Sequence, residues 1–443
     1  MNRLTLCVFL LFSTVGLAAV VLAGCSGANA STVVPRMADD DDNDDDNDND
    51  TTPDDDDDSS PDDDDDNDDD DNDDASPDDD DDNDATPDDD DNDDNDASPA
   101  DDDDDNDTAP LPPGWMVDPQ ANGYTDLALD SQQNPRVAYY ESGTGLKYAA
   151  WNGSSWDKTE VDTANGQMGM YAAITMDPTG TYAYIAYQDG QAQELKFAQE
   201  TASGWQTAVV DNATGVGAWA AIAATSSDIF ISYNDNTAGA LKVAHKSTAW
   251  ATETVAPGPN SGQYTSIGVD SGGTVYVSFY DGDTRSLNLA YGGVGNWTVT
   301  ALDTPGNSKE DVGSWTSLKI DGGDHVQIAY QDNYNLALKY GVYASGSWSM
   351  TTVDGVGGVG ADACLMVDAA NLPHIVYQDE SNLSVKYATS NGSAWTLSVL
   401  IDGTYYQGAF GFWMGCGWLT TAPVVSSIWE PNGGLLIYPA YGN

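Results

Sequence analysis

From Trp115 onward, large apolar and small or polar positions alternate in short runs, broken by Gly, Asn, Asp and Ser. The stretch from Tyr264 to Asp303 shows the unit: YTSIGVD, a Ser-Gly-Gly turn, TVYVSFYDGD, then SLNLAY, a Gly-rich bend and NWTVTALD. A period of two bounded by turn residues predicts strands, and this unit holds four. In its first strand Ile267 and Val269 alternate with Ser266 and Gly268, as Leu127 and Leu129 alternate with Asp126 and Ala128 further upstream. Each such strand has one bulky and one slim face. Second strands repeat the device with Ala138, Ala186, Ser232, Ser278 and Ala329. The absence of a helical period excludes the α/β classes.

The unit recurs as YTDLALD at 124, YAAITMD at 171, WAAIAAT at 219, YTSIGVD at 264, WTSLKID at 315, DACLMVD at 362 and WMGCGWL at 413. Repeats of 45 to 51 residues, each too small to bury its own apolar face, match the blades of a propeller. Every predicted fourth strand carries a Trp: Trp115, Trp156, Trp205, Trp250, Trp297, Trp348 and Trp395. Trp115 precedes the first inner strand, and the last unit lacks an outer strand. The expected architecture of 111–443 is therefore an all-β, seven-bladed β-propeller of four-stranded blades. The strand 114–118 completes the C-terminal blade and closes the ring.

Composition adds a second region. From Asp39 to Asp107 the chain is almost wholly Asp and Asn, broken by SP and TP pairs, with 44 of the 75 acidic residues, no Gly, no aromatic and no aliphatic residue larger than Ala. Such a segment cannot bury enough surface to offset chain entropy, so 39–110 is expected to be a disordered, extended linker. Loosely bound Ca²⁺ is expected there, since serial carboxylates attract hard cations, but the run lacks the Gly and alternating ligands of an EF-hand loop. The remaining 31 acidic residues face 11 Lys and Arg, a net of −20, which disfavours nucleic acid or an anionic membrane surface as partner.

Residues 1–24 read as a signal peptide: Arg3, an apolar run from Leu4 to Ala23, then small residues. Leu22-Ala23-Gly24-Cys25 resembles a bacterial lipobox. That resemblance implies lipidation of Cys25, a mature N-terminal stretch 25–38, and membrane attachment through the lipid. Ser26 in place of Asp favours the outer membrane, with the domain facing periplasm or cell surface. The propeller itself is expected to be monomeric. Cys364 and Cys416 fall on inner strands of neighbouring blades at positions of opposite parity, where a disulfide or two buried thiols are both open.

Strand order places two sets of residues on one rim. Ahead of or at the first strands stand Tyr124, Tyr171, Trp219, Tyr264, Trp315 and Trp413, with Asp362, in the sixth unit, as the one exception. After the second strands stand Glu141, Asp189, Asp235, Asp281, Asp332, Asp379 and Glu430, preceded by Tyr140, Gln188, Asn234, Tyr280, Gln331, Gln378 and Trp429. Aromatic platforms beside carboxylates and amides suit sugar rings and polar ligands. Residues repeated in every blade also serve packing and turns, and the third-strand lysines Lys147, Lys196, Lys242, Lys339 and Lys386 are expected to neutralise those acids in part. Two loops depart from the repeat: 303–315, with Lys309, Glu310 and Asp311, and 401–413, offering Tyr405, Tyr406, Phe410, Phe412 and Trp413 for recognition.

The repeat resembles the bacterial seven-bladed propellers grouped with sialidase-like repeats and propeller lectins. NGSSW, ASGW, GNW, SGSW and NGSAW, ahead of outer-strand Trp residues, look like worn Asp-boxes without the Asp. A sialidase holds its substrate carboxylate with three arginines, whereas 111–443 has only Arg136 and Arg285, so that activity is not expected. His325 and His374 fall on the opposite rim and would need carboxylate help to hold a metal; no metal site is assigned. No GxSxG, HExxH or phosphate loop occurs. The expectation is a non-catalytic module binding glycan or protein through the aromatic and acidic rim. A polysaccharide hydrolase or lyase using Asp332, Asp379 and Asp362 as acid and base is the alternative.

Overall fold

The structure, a computed structural model, describes residues 110–430, 433–439 and 441. The signal peptide, Cys25 and nearly all of the linker with its expected Ca²⁺ lie outside the described residues. The described chain forms seven four-stranded antiparallel sheets. Blades one to six span 123–162, 168–211, 216–256, 261–303, 312–354 and 359–401. Blade seven takes Ala409–Trp418, Pro423–Glu430 and Leu435–Tyr438, and its fourth strand is Met116–Asp118. Met116 pairs with Leu436 and Asp118 with Leu435, so the ring closes as expected.

Blades pack face to face through the bulky and slim positions. A Cβ on Gly415 would lie 2.3 Å from the Leu127 amide, and one on Gly268 would touch Leu318 at 3.0 Å. The slim face is therefore a packing requirement, because the inner strands converge on the axis. Each of six inner strands also carries Gly-x-aromatic or Gly-x-Asp, as in Gly313-Ser314-Trp315. There the pairing register shifts, and the third residue takes a left-handed conformation, with φ between 46° and 54°. Gly313 at φ 114° sits where a Cβ would be 2.5 Å from the Leu287 amide of the preceding blade. A left-handed L-residue costs about 1 kcal/mol or more, so the packing around each bulge must hold it in place.

A second device links consecutive inner strands. The Asp126 carboxylate accepts from the Ile174 amide at 2.8 Å, Ser266 from Leu318 at 2.9 Å, and Ser317 from Leu365 at 3.0 Å. At the same place between blades six and seven stands the Cys364–Cys416 disulfide. The covalent link thus occupies a position where other blades use a hydrogen bond.

Candidate functional site

The chain enters each innermost strand from one rim, here the entry rim, which also bears the loops between second and third strands. Near the start of each innermost strand one residue is left-handed: Tyr124, Tyr171, Trp219, Tyr264, Trp315, Asp362 and Trp413. Their rings pack on one another around the axis: Tyr124–Tyr171 4.8 Å, Tyr171–Trp219 5.0 Å, Trp219–Tyr264 4.2 Å, Tyr264–Trp315 4.6 Å and Trp413–Tyr124 4.3 Å between centroids. Trp413 also lies 6.4 Å from each of Tyr171, Trp219 and Trp315. A ring touching residues of blades one, two, three and five reaches across the axis. The sequence reading brought these residues together correctly, but they form a plug of half-buried rings rather than platforms open to solvent.

Asp362 is the one carboxyl in this plug. Burial pushes its pKa well above the ordinary carboxylate range; the Trp413 amide that donates to it offsets this, and Glu380 adds to the rise. Burial likewise raises the phenols of Tyr124, Tyr171 and Tyr264. Asp362 is therefore a carboxyl among aromatic rings whose surroundings favour its protonated form.

The rim acids have local duties. Asp189 accepts from the amides of Gln191 and Ala192, each at 3.0 Å. Asp332 accepts from the amide and side chain of Asn335, both at 2.9 Å, and Asp379 from those of Asn382, both at 3.0 Å. The preceding amides clasp the following blade: Gln188 donates to the Val216 carbonyl at 2.7 Å and Gln378 to that of Phe410 at 3.0 Å. These are turn and seam interactions.

The expected partial neutralisation of these acids by third-strand lysines is met by Lys147 on Glu141 at 2.6 Å and, more distantly, Lys242 on Asp235 at 3.9 Å, but it is not the main pairing of the other lysines. The main partner of Lys196, Lys242, Lys339 and Lys386 is an Asp ending the fourth strand of the preceding blade, to which the second-strand Tyr also donates. Lys196 and Tyr187 meet Asp162 at 2.5 and 2.6 Å, and Lys242 and Tyr233 meet Asp211 at 2.5 and 2.7 Å. Lys339 with Tyr330 on Asp303, and Lys386 with Tyr377 on Asp354, repeat the arrangement. Lys147 alone is closer to its rim acid, Glu141 at 2.6 Å, than to Asp118 at 3.5 Å. The physical reason is partner supply: the fourth-strand carboxylate lies in the seam within reach of the next blade's Lys and Tyr, where an unpaired charge is costly, while the rim acid already has turn donors. The signal was present in the sequence as the Asp that ends ALD, EVD, VVD and TVD.

The loop 401–413 is also partly corrected. It contains a short helix, Gly403–Tyr406, capped by Asp402, which accepts from the amides of Thr404 and Tyr405. Phe410 is 0% exposed, packed with Cys416 and Val425 in the blade core, and Trp413 belongs to the plug. Phe412 is half-buried against the core of the closing blade. Tyr405 is the member of this loop that faces solvent, 62% exposed, resting edge-on against Tyr406 at 4.9 Å, which itself leans on Trp115 at 5.3 Å. Sequence reasoning missed three further exposed side chains on the same rim: Tyr334 (53%), Leu336 and Val356 (80%). They occupy turns of blade five and its link to blade six. A polar hollow of about 50 Å³ adjoins the Tyr334–Leu336 turn through Asn335, lined also by Asp303, Glu310, Asp311, Asp332 and Lys339.

On the opposite rim, His325 pairs with Asp321 at 3.0 Å, and His374 stacks on Trp418 at 3.7 Å while bonding the Tyr387 hydroxyl at 2.6 Å. No group of three or more His, Cys, Asp or Glu placed to hold a metal occurs among the described residues.

No family model matches the chain, and no curated protein does. Solved structures are similar to it. AofleA from Arthrobotrys oligospora shares 16% identity at a TM-score of 0.45, over 65% of this chain and 88% of its own. The fungal lectin of Aleuria aurantia, described as a six-bladed propeller with a novel fucose recognition mode, shares 13% at 0.43, over 65% and 97%. The polysaccharide lyase Uly1 shares 10% at 0.48, over 71% and 89%. At these identities and scores the likeness assigns no ligand to this chain.

Proposed function

We propose that this protein is a non-catalytic binding module that takes a neutral glycan on the entry rim over blades five to seven. One observation supports this most: the repeated aromatics, acids and amides serve the plug, turns and seams, whereas Tyr334, Leu336, Val356 and Tyr405 stand exposed on the same rim, with an acidic hollow beside the Asp332–Asn335 turn. Exposed phenol faces suit the C–H face of a sugar ring, and neighbouring carboxylates and amides accept or donate to its hydroxyls. The acidic surface repels polyanionic chains, so the glycan is neutral. The proposed acid–base set of the alternative enzyme reading is otherwise engaged, with Asp332 and Asp379 in turns and Asp362 in the plug.

In the same reading, the domain is carried on the acidic segment 39–110 from a lipid-modified Cys25 at the outer membrane. Export and anchoring are tested by mass analysis of the mature amino terminus. An unprocessed chain or an unmodified Cys25 contradicts them. The binding reading is tested by presenting the intact protein to an array of neutral and acidic glycans. Selective retention of neutral glycans supports it, and a blank array overturns it.

A further inference from the structure

On the rim opposite the proposed binding surface, neighbouring turns between first and second strands are joined in pairs. The Ser131 amide donates to the Gly180 carbonyl at 3.0 Å, Ser271 to Asp324 at 2.9 Å, and Gly322 to Asn371 at 3.1 Å, joining blades one to two, four to five and five to six. Blades three and four part instead around a cleft of about 300 Å³. The cause is local sequence. Most first strands end in an Asp whose turn closes four or five residues on, as Asp130 to Asn134 or Asp177 to Tyr182. Blade three has Thr225-Ser226-Ser227-Asp228, closed over three residues by the Thr225 amide on the Asp228 carbonyl at 2.8 Å. The shorter turn stops short of its neighbour.

The lining has three kinds of chemistry. Phe230 and Val269 give an apolar floor, and Phe230 is held in place by His245 stacked on it at 4.8 Å. Asp228 and Asp270 give carboxylates. The hydroxyls of Ser226 and Ser271, with the turn Gly272-Gly273, give small polar walls that let a ligand approach the main chain. Asp228 is fixed and ionised: hydrogen bonds from Ser227 and from His245, the latter at 2.7 Å, hold its pKa below the usual range. A carboxylate offers about four acceptor sites, so acceptor capacity remains on the cleft side. Two carboxylates and no Lys or Arg in the lining exclude an anionic ligand, and the volume is at the lower end for small-molecule sites, about 300–1,000 Å³.

We infer that this cleft between blades three and four is a second ligand site, for a single neutral sugar ring. One face of the ring lies on Phe230 and Val269, and its hydroxyls donate to Asp228 and Asp270. The site is independent of the entry rim.

The test uses the full chain and the methyl glycosides of glucose, galactose, mannose, fucose and N-acetylglucosamine, followed by saturation-transfer NMR and titration calorimetry. At least one glycoside binds, and its affinity falls at least tenfold in Ser226→Trp, which fills the cleft from an exposed turn position, and in Asp228→Asn. Gln132→Trp, an exposed change in the corresponding blade-one turn, leaves it within twofold and reports on folding. Binding of none of the five, or binding that survives Ser226→Trp, overturns the inference. Binding kept in Ser226→Trp but lost in Tyr405→Ala would do so while supporting the entry-rim function.

Discussion

Asp362 and Asp126 are the residues whose chemistry departs most from their surroundings. Burial raises Asp126 to about 6 against the amides of Ile174 and Leu127 that donate to it, and raises Asp362 well above the ordinary value. An unfolded Asp titrates near 4. Above that pH the unfolded chain has lost the proton that the folded chain retains, so stability falls by about 1.4 kcal/mol per pH unit for each group until its folded pKa is passed. Replacing Asp362 by Asn, neutral and of the same shape, removes this loss. Its melting temperature should match the wild type at pH 4 and exceed it at pH 8, as measured by differential scanning fluorimetry across that range. Seam carboxylates act in the opposite sense. For Asp211 and Asp354, burial raises the pKa, but the bonds from Lys242 and Tyr233, and from Lys386 and Tyr377, outweigh it and hold both low. Their stabilisation is present above pH 4 and is lost as pH falls through their folded values.

At the scale of elements, the Tyr–Asp–Lys seam is kept or replaced as a unit. Five seams have all three residues. At the seam of blades three and four the equivalents are Phe279, Ala256 and Asn288, and at that of six and seven they are Ile428, Ile401 and Leu435. Losing one partner strands a buried charge, whereas replacing all three leaves none. Lys386→Met should therefore cost about 2–4 kcal/mol, while the triple change Lys386→Leu, Tyr377→Ile and Asp354→Ile should recover most of it. Urea unfolding midpoints check this; equal losses in both variants would show that the seam is not coupled. The disulfide seam gives a companion prediction. In Cys364→Ser/Cys416→Ala the new hydroxyl can donate nothing covalent but can accept from the amide of residue 416, as Ser266 and Ser317 do in theirs. Loss of the cross-link over 52 residues should cost about 2–4 kcal/mol with the fold retained, which circular dichroism and urea unfolding would report. Much of this element-level order was legible in the sequence: strands, blade count and the Trp115 closure follow from period and spacing. Partners across seams were not, because a period of two gives the face of a strand but not which side chain of the neighbouring blade its last residue meets. Lys196 could be placed on the entry side, yet only the packed blades show that Asp162 rather than Asp189 receives it.

For the whole molecule, closure depends on one short strand far from its partners in sequence. Trp115 is buried in the closing blade, and Asp118 accepts from Tyr139 at 2.7 Å across the first seam. Deleting residues 110–120 exposes the edge of Leu435–Tyr438 and unpairs Tyr139, leaving Lys147 with Glu141 alone, so broad unfolding and self-association are expected, visible by calorimetry and light scattering. The plug closes the axis, and that too was only half legible. The sequence aligned Tyr124, Tyr171, Trp219, Tyr264, Trp315 and Trp413 at one level, but not the left-handed bulges that turn their rings inward. In the proposed function, ligand contact falls to side chains that vary between blades, which alignment discounts: Tyr334 stands where blade six has Ser381, and Val356 where the earlier links have Ala164 and Ala213. The central claim is that these exceptions form the glycan site. Its most direct test is the affinity of the intact protein for the best-retained neutral glycan, measured by calorimetry in the wild type, Tyr405→Ala and Tyr334→Ala. The account predicts at least a tenfold loss in one or both, with melting temperatures unchanged. Undiminished affinity in both would contradict it.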